Sequence, residues 1–237
     1  MPKDCFKFKQ FQIKQEICAM KVGTDAVLLG AWANVATAKN ILDIGTGTGV
    51  IALMLAQKST ARVVGIDISA EAIAQATENV AECTWKNRIE IKHIDALTYA
   101  KTEHLSFDVI VSNPPYHTEQ VLCPDKLRDI ARHTESLPFS HLLQAVSLLL
   151  SSQGAFYTIL PYWAETKFID LATKEGLHLF HRVTIYGKEG KPAKRVLLAF
   201  SKEEKTSLLS DELFLRNADG TDTTAYKELT SPYYLHF

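Results

Sequence analysis

Two short stretches hold residue types suited to chemistry on an amine. The first, Asn113-Pro114-Pro115-Tyr116, directly follows an apolar run ending at Ser112. Neither proline has an N–H, and the residue before a proline is held extended, so the turn offers acceptors with few competing donors. The Asn113 oxygen and the Pro114 carbonyl suit the two hydrogens of a planar amine. Tyr116 offers a face on which a base taken out of its stack can lie. The plain alternative is a rigid turn between strand and helix.

The second stretch is Asn40 to Ile51, in which an apolar run breaks into Gly45, Gly47 and Gly49 and resumes as a helical pattern. This reads as buried strand, tight turn and helix, with glycines that let the helix amides approach a ligand. Asp43 ends that strand, where a carboxylate repels phosphate and favours a ligand presenting an ammonium or a sulfonium. Asp67 ends the next strand, about 20 residues on, where an acid can accept from both ribose hydroxyls of an adenosine cofactor; a helix cap is the competing role. Asp95 ends a third strand and suits an adenine amino group. Their neighbours Ile68 and Ala96 belong to the same expected cofactor edge, as do Gly23, Thr24 and Asp25 at the start of an earlier apolar helix.

The elements that must position these residues alternate from Asn40 onward. Strands are expected at Ile41–Ile44, Val63–Ile68, Ile89–Ile94, Val109–Ser112 and Phe156–Leu160, and helices near Val50–Gln57, Ala70–Glu82, Ser140–Leu149 and Ala164–Lys174. Alternation of this kind specifies a mostly parallel sheet covered on both faces. The strands around Val183–Tyr186 and Arg195–Phe200 are too close for a helix between them and must pair antiparallel. Phe6 to Ile17 reads as a strand pair or bulged strand. Leu213 to Leu215 suggest an edge strand, and Tyr226 to Leu229 a last helical turn.

The chain of 237 residues, 46% hydrophobic, is expected to be one domain: an N-terminal β/α extension over 1–38, a core over 39–202 and a C-terminal extension over 203–237. The formal net charge of −1 excludes a global positive field, so any polyanion contact rests on local patches. Such patches are Lys7, Lys9 and Lys14 near the start, Arg128 and Arg132 after the Asn-Pro-Pro-Tyr stretch, and Lys191, Lys194 and Arg195 between the last strands. A solvated surface is the ordinary alternative. Four scattered cysteines and scattered histidines give no metal-ligand spacing. No apolar stretch approaches the ~20 residues of a membrane span, so a cytoplasmic protein is expected, with a monomer favoured.

The hairpin-terminated parallel sheet is similar to the Rossmann-like sheet of the class I S-adenosylmethionine methyltransferases. The Asp-x-Gly-x-Gly-x-Gly loop together with Asn-Pro-Pro-Tyr resembles the signature of amino-group methyltransferases. A narrower resemblance lies in Phe11-Gln-Ile-Lys-Gln, Met20 to Trp32, Ala131-Arg-His-Thr-Glu135 and Tyr226 to Leu235. These are similar to the tRNA (adenine-N6)-methyltransferase family acting beside the anticodon of valine tRNA, at position 37. The resemblance implies S-adenosylmethionine as cofactor, tRNA as substrate, Asn113 to Tyr116 as catalytic loop, and Asp43, Gly45, Gly47, Gly49, Asp67 and Asp95 as cofactor site. A protein glutamine methyltransferase is the main competitor, but only about 40 residues precede the glycine loop, too few for a separate helical substrate domain. An NAD-dependent oxidoreductase fits the loose glycine fingerprint Gly47-x-Gly49-x-x-Ala52 but not the Asn-Pro-Pro-Tyr loop. A non-catalytic RNA-binding module would need neither intact motif.

Overall fold

Period-two alternation in the apolar runs settles which residues face which core. In Asn40–Ile44 (β3), Ile41 packs into one hydrophobic layer and Leu42 and Ile44 into the other. A computed structural model of the chain describes residues 5–18, 21–115 and 137–236. Eight strands form one sheet: β3, Arg62–Asp67 (β4), Ile89–His93 (β5), Phe107–Ser112 (β6), Leu150–Pro161 (β7), His178–Tyr186 (β8), Ala193–Ser201 (β9) and Leu209–Phe214 (β10). Their order is β10-β8-β9-β7-β6-β3-β4-β5. All neighbours pair parallel except β9, which is antiparallel to both β7 and β8. The expected hairpin insertion is therefore present, and so is the expected edge strand.

Thr24–Trp32 (α1) and Val50–Lys58 (α2) cover one face of the sheet, with the C-terminal part of Ala70–Glu82 (α3) beside them. Ala96–Thr102 (α4), Phe139–Leu149 (α5) and Glu165–Lys174 (α6) cover the other. Thr224–Thr230 (α7) ends the chain's regular structure. The largest departures from the expectation are at three elements, one of them β8, which starts at His178 rather than near Val183. α4 was not foreseen, because seven residues give too little periodicity to register. β7 runs twelve residues rather than five, since Ser151 to Gly154 carry no apolar alternation to extend the pattern.

The N-terminal segment forms an antiparallel pair, Cys5–Lys7 (β1) with Gln12–Lys14 (β2). Its aromatic side chains meet the end of the chain: Phe8 stacks on Tyr234, and Lys9 N–H donates to the Tyr233 carbonyl at 2.8 Å. Tyr233, 2% exposed, donates to the Met54 carbonyl on α2. The two ends of the chain thus pack on each other, the strand pair also binding α3 through Lys14 and Asn79 and the C-terminal residues binding α2.

Candidate active site

The glycine loop folds back over β4. Gly45 and Thr46 both donate to the Ile66 carbonyl, at 2.9 and 3.0 Å, and Gly49 N–H closes a turn onto the Thr46 carbonyl at 2.8 Å. Gly45, Gly47 and Gly49 have φ of +73°, +55° and +82°, a region where an L side chain is strained. A Cβ at Gly45 or Gly47 would project into open space, so a ligand can lie against bare backbone there. Gly65 on β4 has a different function. A Cβ there would lie 2.8 Å from Thr46 Oγ1 and 2.9 Å from Ile91 Cδ1, so its absence lets the loop pass over the strand. Sequence reasoning missed Gly65 because a single glycine in a strand has no motif around it.

Asp43 lies on the α1–α2 face in a position alternation reserves for an apolar residue, and it is fully buried. The structure places it beneath the loop, with Oδ2 accepting from the Thr46 hydroxyl at 2.7 Å. Oδ1 has no hydrogen bond of ordinary geometry among the described residues. Burial pushes this carboxyl up to about 7, with the Thr46 hydroxyl and the Ala52 amide acting in the opposite sense and Asp67 adding to the rise. A buried carboxylate with one orphan oxygen is a ready acceptor for a cationic ligand.

Asp67 is engaged on both oxygens: Oδ2 accepts from Gly47 N–H at 2.9 Å and Oδ1 from Ser69 N–H at 3.0 Å. Ser69, not Asp67, caps α3, its hydroxyl accepting from Ala72 N–H. Asp67 therefore ties the glycine loop to the start of α3. Ile68 beside it is 44% exposed, an apolar surface next to Asp67. Asp95 is the N-cap of α4, its Oδ1 accepting from Thr98 N–H at 2.9 Å, with Ala96 buried behind it.

Adjacent strands bring the two motifs together. β6 pairs with β3 in the register Ile44 to Ser112, and Ser112 Oγ donates to the Ile44 carbonyl at 2.9 Å. Asn113, partly exposed, and the buried Pro114 thus begin where the glycine loop begins. Tyr116, Arg128 and Arg132 lie outside the described residues. The start of α1 reaches the same edge: Arg195 Nε donates to Asp25 Oδ2 at 2.7 Å, and Arg195 pairs in register with Pro161 at the end of β7. Gly23 is the N-cap of α1, without a side-chain cap, and Thr24 is exposed beside it.

A family model described as the methyltransferase small domain matches residues 19–137. A protein of Phocaeicola vulgatus named tRNA1(Val) (adenine(37)-N6)-methyltransferase is 47% identical over all of both chains. Proteins with that name from Photorhabdus laumondii and Haemophilus influenzae are 42% and 41% identical, covering 99% and 98% of this chain and 97% and 99% of their own. The chain belongs to this methyltransferase family. The fold is also that of a predicted O-methyltransferase from Agrobacterium tumefaciens, with a TM-score of 0.69 at 19% identity, covering 88% of this chain and 96% of that one. The N-methyltransferase NodS of Bradyrhizobium japonicum, solved with S-adenosyl-L-homocysteine, gives a TM-score of 0.53 at 20% identity, covering 73% of this chain and 82% of that one.

In this member of the family, several basic residues expected at an RNA surface have partners within the protein. Lys14 Nζ lies 2.8 Å from Glu78 and 2.5 Å from Glu82 on α3, which raise its ammonium above the usual value. Lys9 donates to the Ser231 carbonyl at 2.6 Å, and Arg195 is the partner of Asp25. Lys7, Lys191 and Lys194 are exposed. Among the described residues no group of three or more His, Cys, Asp and Glu is placed to hold a metal ion, and no helix is long and apolar enough to cross a membrane.

Proposed function

We propose that this chain methylates the exocyclic N6 of adenine 37 in valine tRNA, using S-adenosylmethionine. The observation that carries the reading is the seating of Asn113-Pro114 beside the glycine loop, on neighbouring strands, in a chain of this family. S-adenosylmethionine, when bound, supplies a methyl group on a sulfonium that needs no further activation. The orphan Asp43 Oδ1 fits its cationic amino-acid end, the open backbone at Gly45 and Gly47 fits its close approach, and Asp67 fits the ribose hydroxyls. The uncapped amides of α1 and α2 suit its carboxylate.

The chain's own task is then orientation. The Asn113 oxygen and the Pro114 carbonyl accept the two amine hydrogens and turn the nitrogen lone pair toward the methyl group. Near-attack positioning of this kind contributes ~7–11 kcal/mol. No strong base is required, because the amine proton becomes acidic only as the new C–N bond forms, and water can take it. We place the reaction in the cytoplasm, where its substrate is. Tritiated-methyl transfer to RNA from a strain lacking the protein, followed by nucleoside analysis, tests the reading. Label in N6-methyladenosine of valine tRNA is the expected result, and label only in protein would overturn it.

A further inference from the structure

Trp163 is 59% exposed and its neighbour Tyr162 42%, whereas Trp32 and Trp85 are partly buried against the core. Scattered apolar side chains at a surface need no explanation, but these two aromatics share a single 3₁₀ turn, Tyr162–Ala164, between buried Pro161 and buried Ala164. The turn directly follows β7, which pairs with the catalytic strand β6 in the register Ser112 to Thr158. The turn thus follows the strand adjacent to that of Asn113, at the same carboxyl edge of the sheet, four to six residues beyond the Ser112–Thr158 pair.

The strands beyond β7 extend that edge. β9 begins beside Pro161, with Lys194 and Arg195 at its start, and the β8–β9 connection carries Lys188 and Lys191 against Glu189. β8 and β10 end at Tyr186 and Phe214, whose rings stack at 4.6 Å and 13°. Of the acids facing this region, Glu165 is held by Arg182, Asp25 by Arg195 and Glu212 by the Tyr186 hydroxyl, while Asp219 lies near the half-buried Lys188. What remains at the ledge is aromatic surface beside exposed lysines, the combination that binds single-stranded nucleic acid by stacking and charge.

We propose that Trp163 is a stacking platform for an unpaired anticodon-loop nucleotide next to the target adenine, with Lys191 and Lys194 taking its phosphates. The inference rests on the tRNA reading above and names the residue that positions that substrate. The test titrates an anticodon stem-loop of valine tRNA into the full chain and into Trp163→Ala and Trp163→Phe, with S-adenosylmethionine affinity measured by calorimetry as the check on folding.

Stacking on an indole should quench the fluorescence of the wild type. Trp163→Ala should bind RNA about 5- to 150-fold more weakly, with a raised KM for tRNA, an unchanged salt slope and unchanged cofactor affinity. Trp163→Phe keeps an aromatic face and should bind within about threefold of wild type while losing most of the quench. Equal RNA affinity and KM in wild type and Trp163→Ala would overturn the platform. So would wild-type self-association in sedimentation that Trp163→Ala abolishes, which would assign the face to a second copy. Failure of the wild type itself to bind or methylate tRNA would instead bring down the substrate reading, and the platform with it.

Discussion

Asp43 is the residue at which stability and function pull apart. Its carboxyl ionises near 3.8 in an open chain and at about 7 in the fold, because burial penalises the charge. Between those values the native state holds the extra proton, so the stability present below pH 3.8 is lost as pH rises through 7. Asp43→Asn cannot ionise. Its stability advantage over the wild type without cofactor should widen between pH 5 and pH 7 and level off above, by roughly 1–3 kcal/mol, as urea denaturation at several pH values would show. The same variant should bind S-adenosylmethionine more weakly, since the cationic end of the cofactor loses its counter-charge. Asn113→Ala should behave differently: methyl transfer falls by about 10²-fold or more while cofactor affinity by calorimetry stays close to wild type. Turnover near the wild-type rate would remove Asn113 from the amine clamp.

At the scale of elements, the site depends on how closely the glycine loop lies on β4. Asp67 pins the loop from one side through Gly47 N–H, and Gly65 makes room for it on the other. Gly65→Ala would press a methyl group against Thr46 Oγ1, which the hydrogen bond to Asp43 prevents from turning away, and against Ile91 Cδ1. Overpacking of this kind costs ~1–3 kcal/mol. Because the displaced part is the loop, cofactor affinity should fall together with the unfolding midpoint, which parallel calorimetry and thermal melts would detect. A stability loss with unaltered affinity would mean that the strain is absorbed by Ile91 alone. α4 illustrates a related point: its N-cap, Asp95, is also an expected cofactor ligand, so one oxygen holds the helix start and fixes where the side chain can face the edge.

For the whole molecule, the question is how a chain of net charge −1 holds a polyanion. Lys14 and Arg195 serve internal ion pairs, which leaves Lys191 and Lys194 of the β8–β9 hairpin as exposed positive charges at the carboxyl edge. The double reversal Lys191→Glu with Lys194→Glu should weaken tRNA binding and flatten its salt dependence by about 0.7–0.9 units of slope per lost contact, with cofactor binding spared; an unchanged slope would remove the hairpin from the RNA surface. Much of this protein was legible before folding was considered. Alternating apolar runs specify the parallel sheet, the short Gly187 to Pro192 connection demands the antiparallel strand, and the glycine and Asn-Pro-Pro motifs announce their chemistry, because each depends on neighbours within a few residues. The tertiary structure alone decided what depends on distant partners. It buried Asp43 beneath its own loop, gave Lys14 to Glu78 and Glu82 on α3, paired Arg195 with Asp25 across 170 residues, and set Trp163 after the strand that neighbours that of Asn113. Local sequence encodes backbone preference and alternation, but which charge is satisfied and which aromatic stays exposed is settled only when remote elements pack.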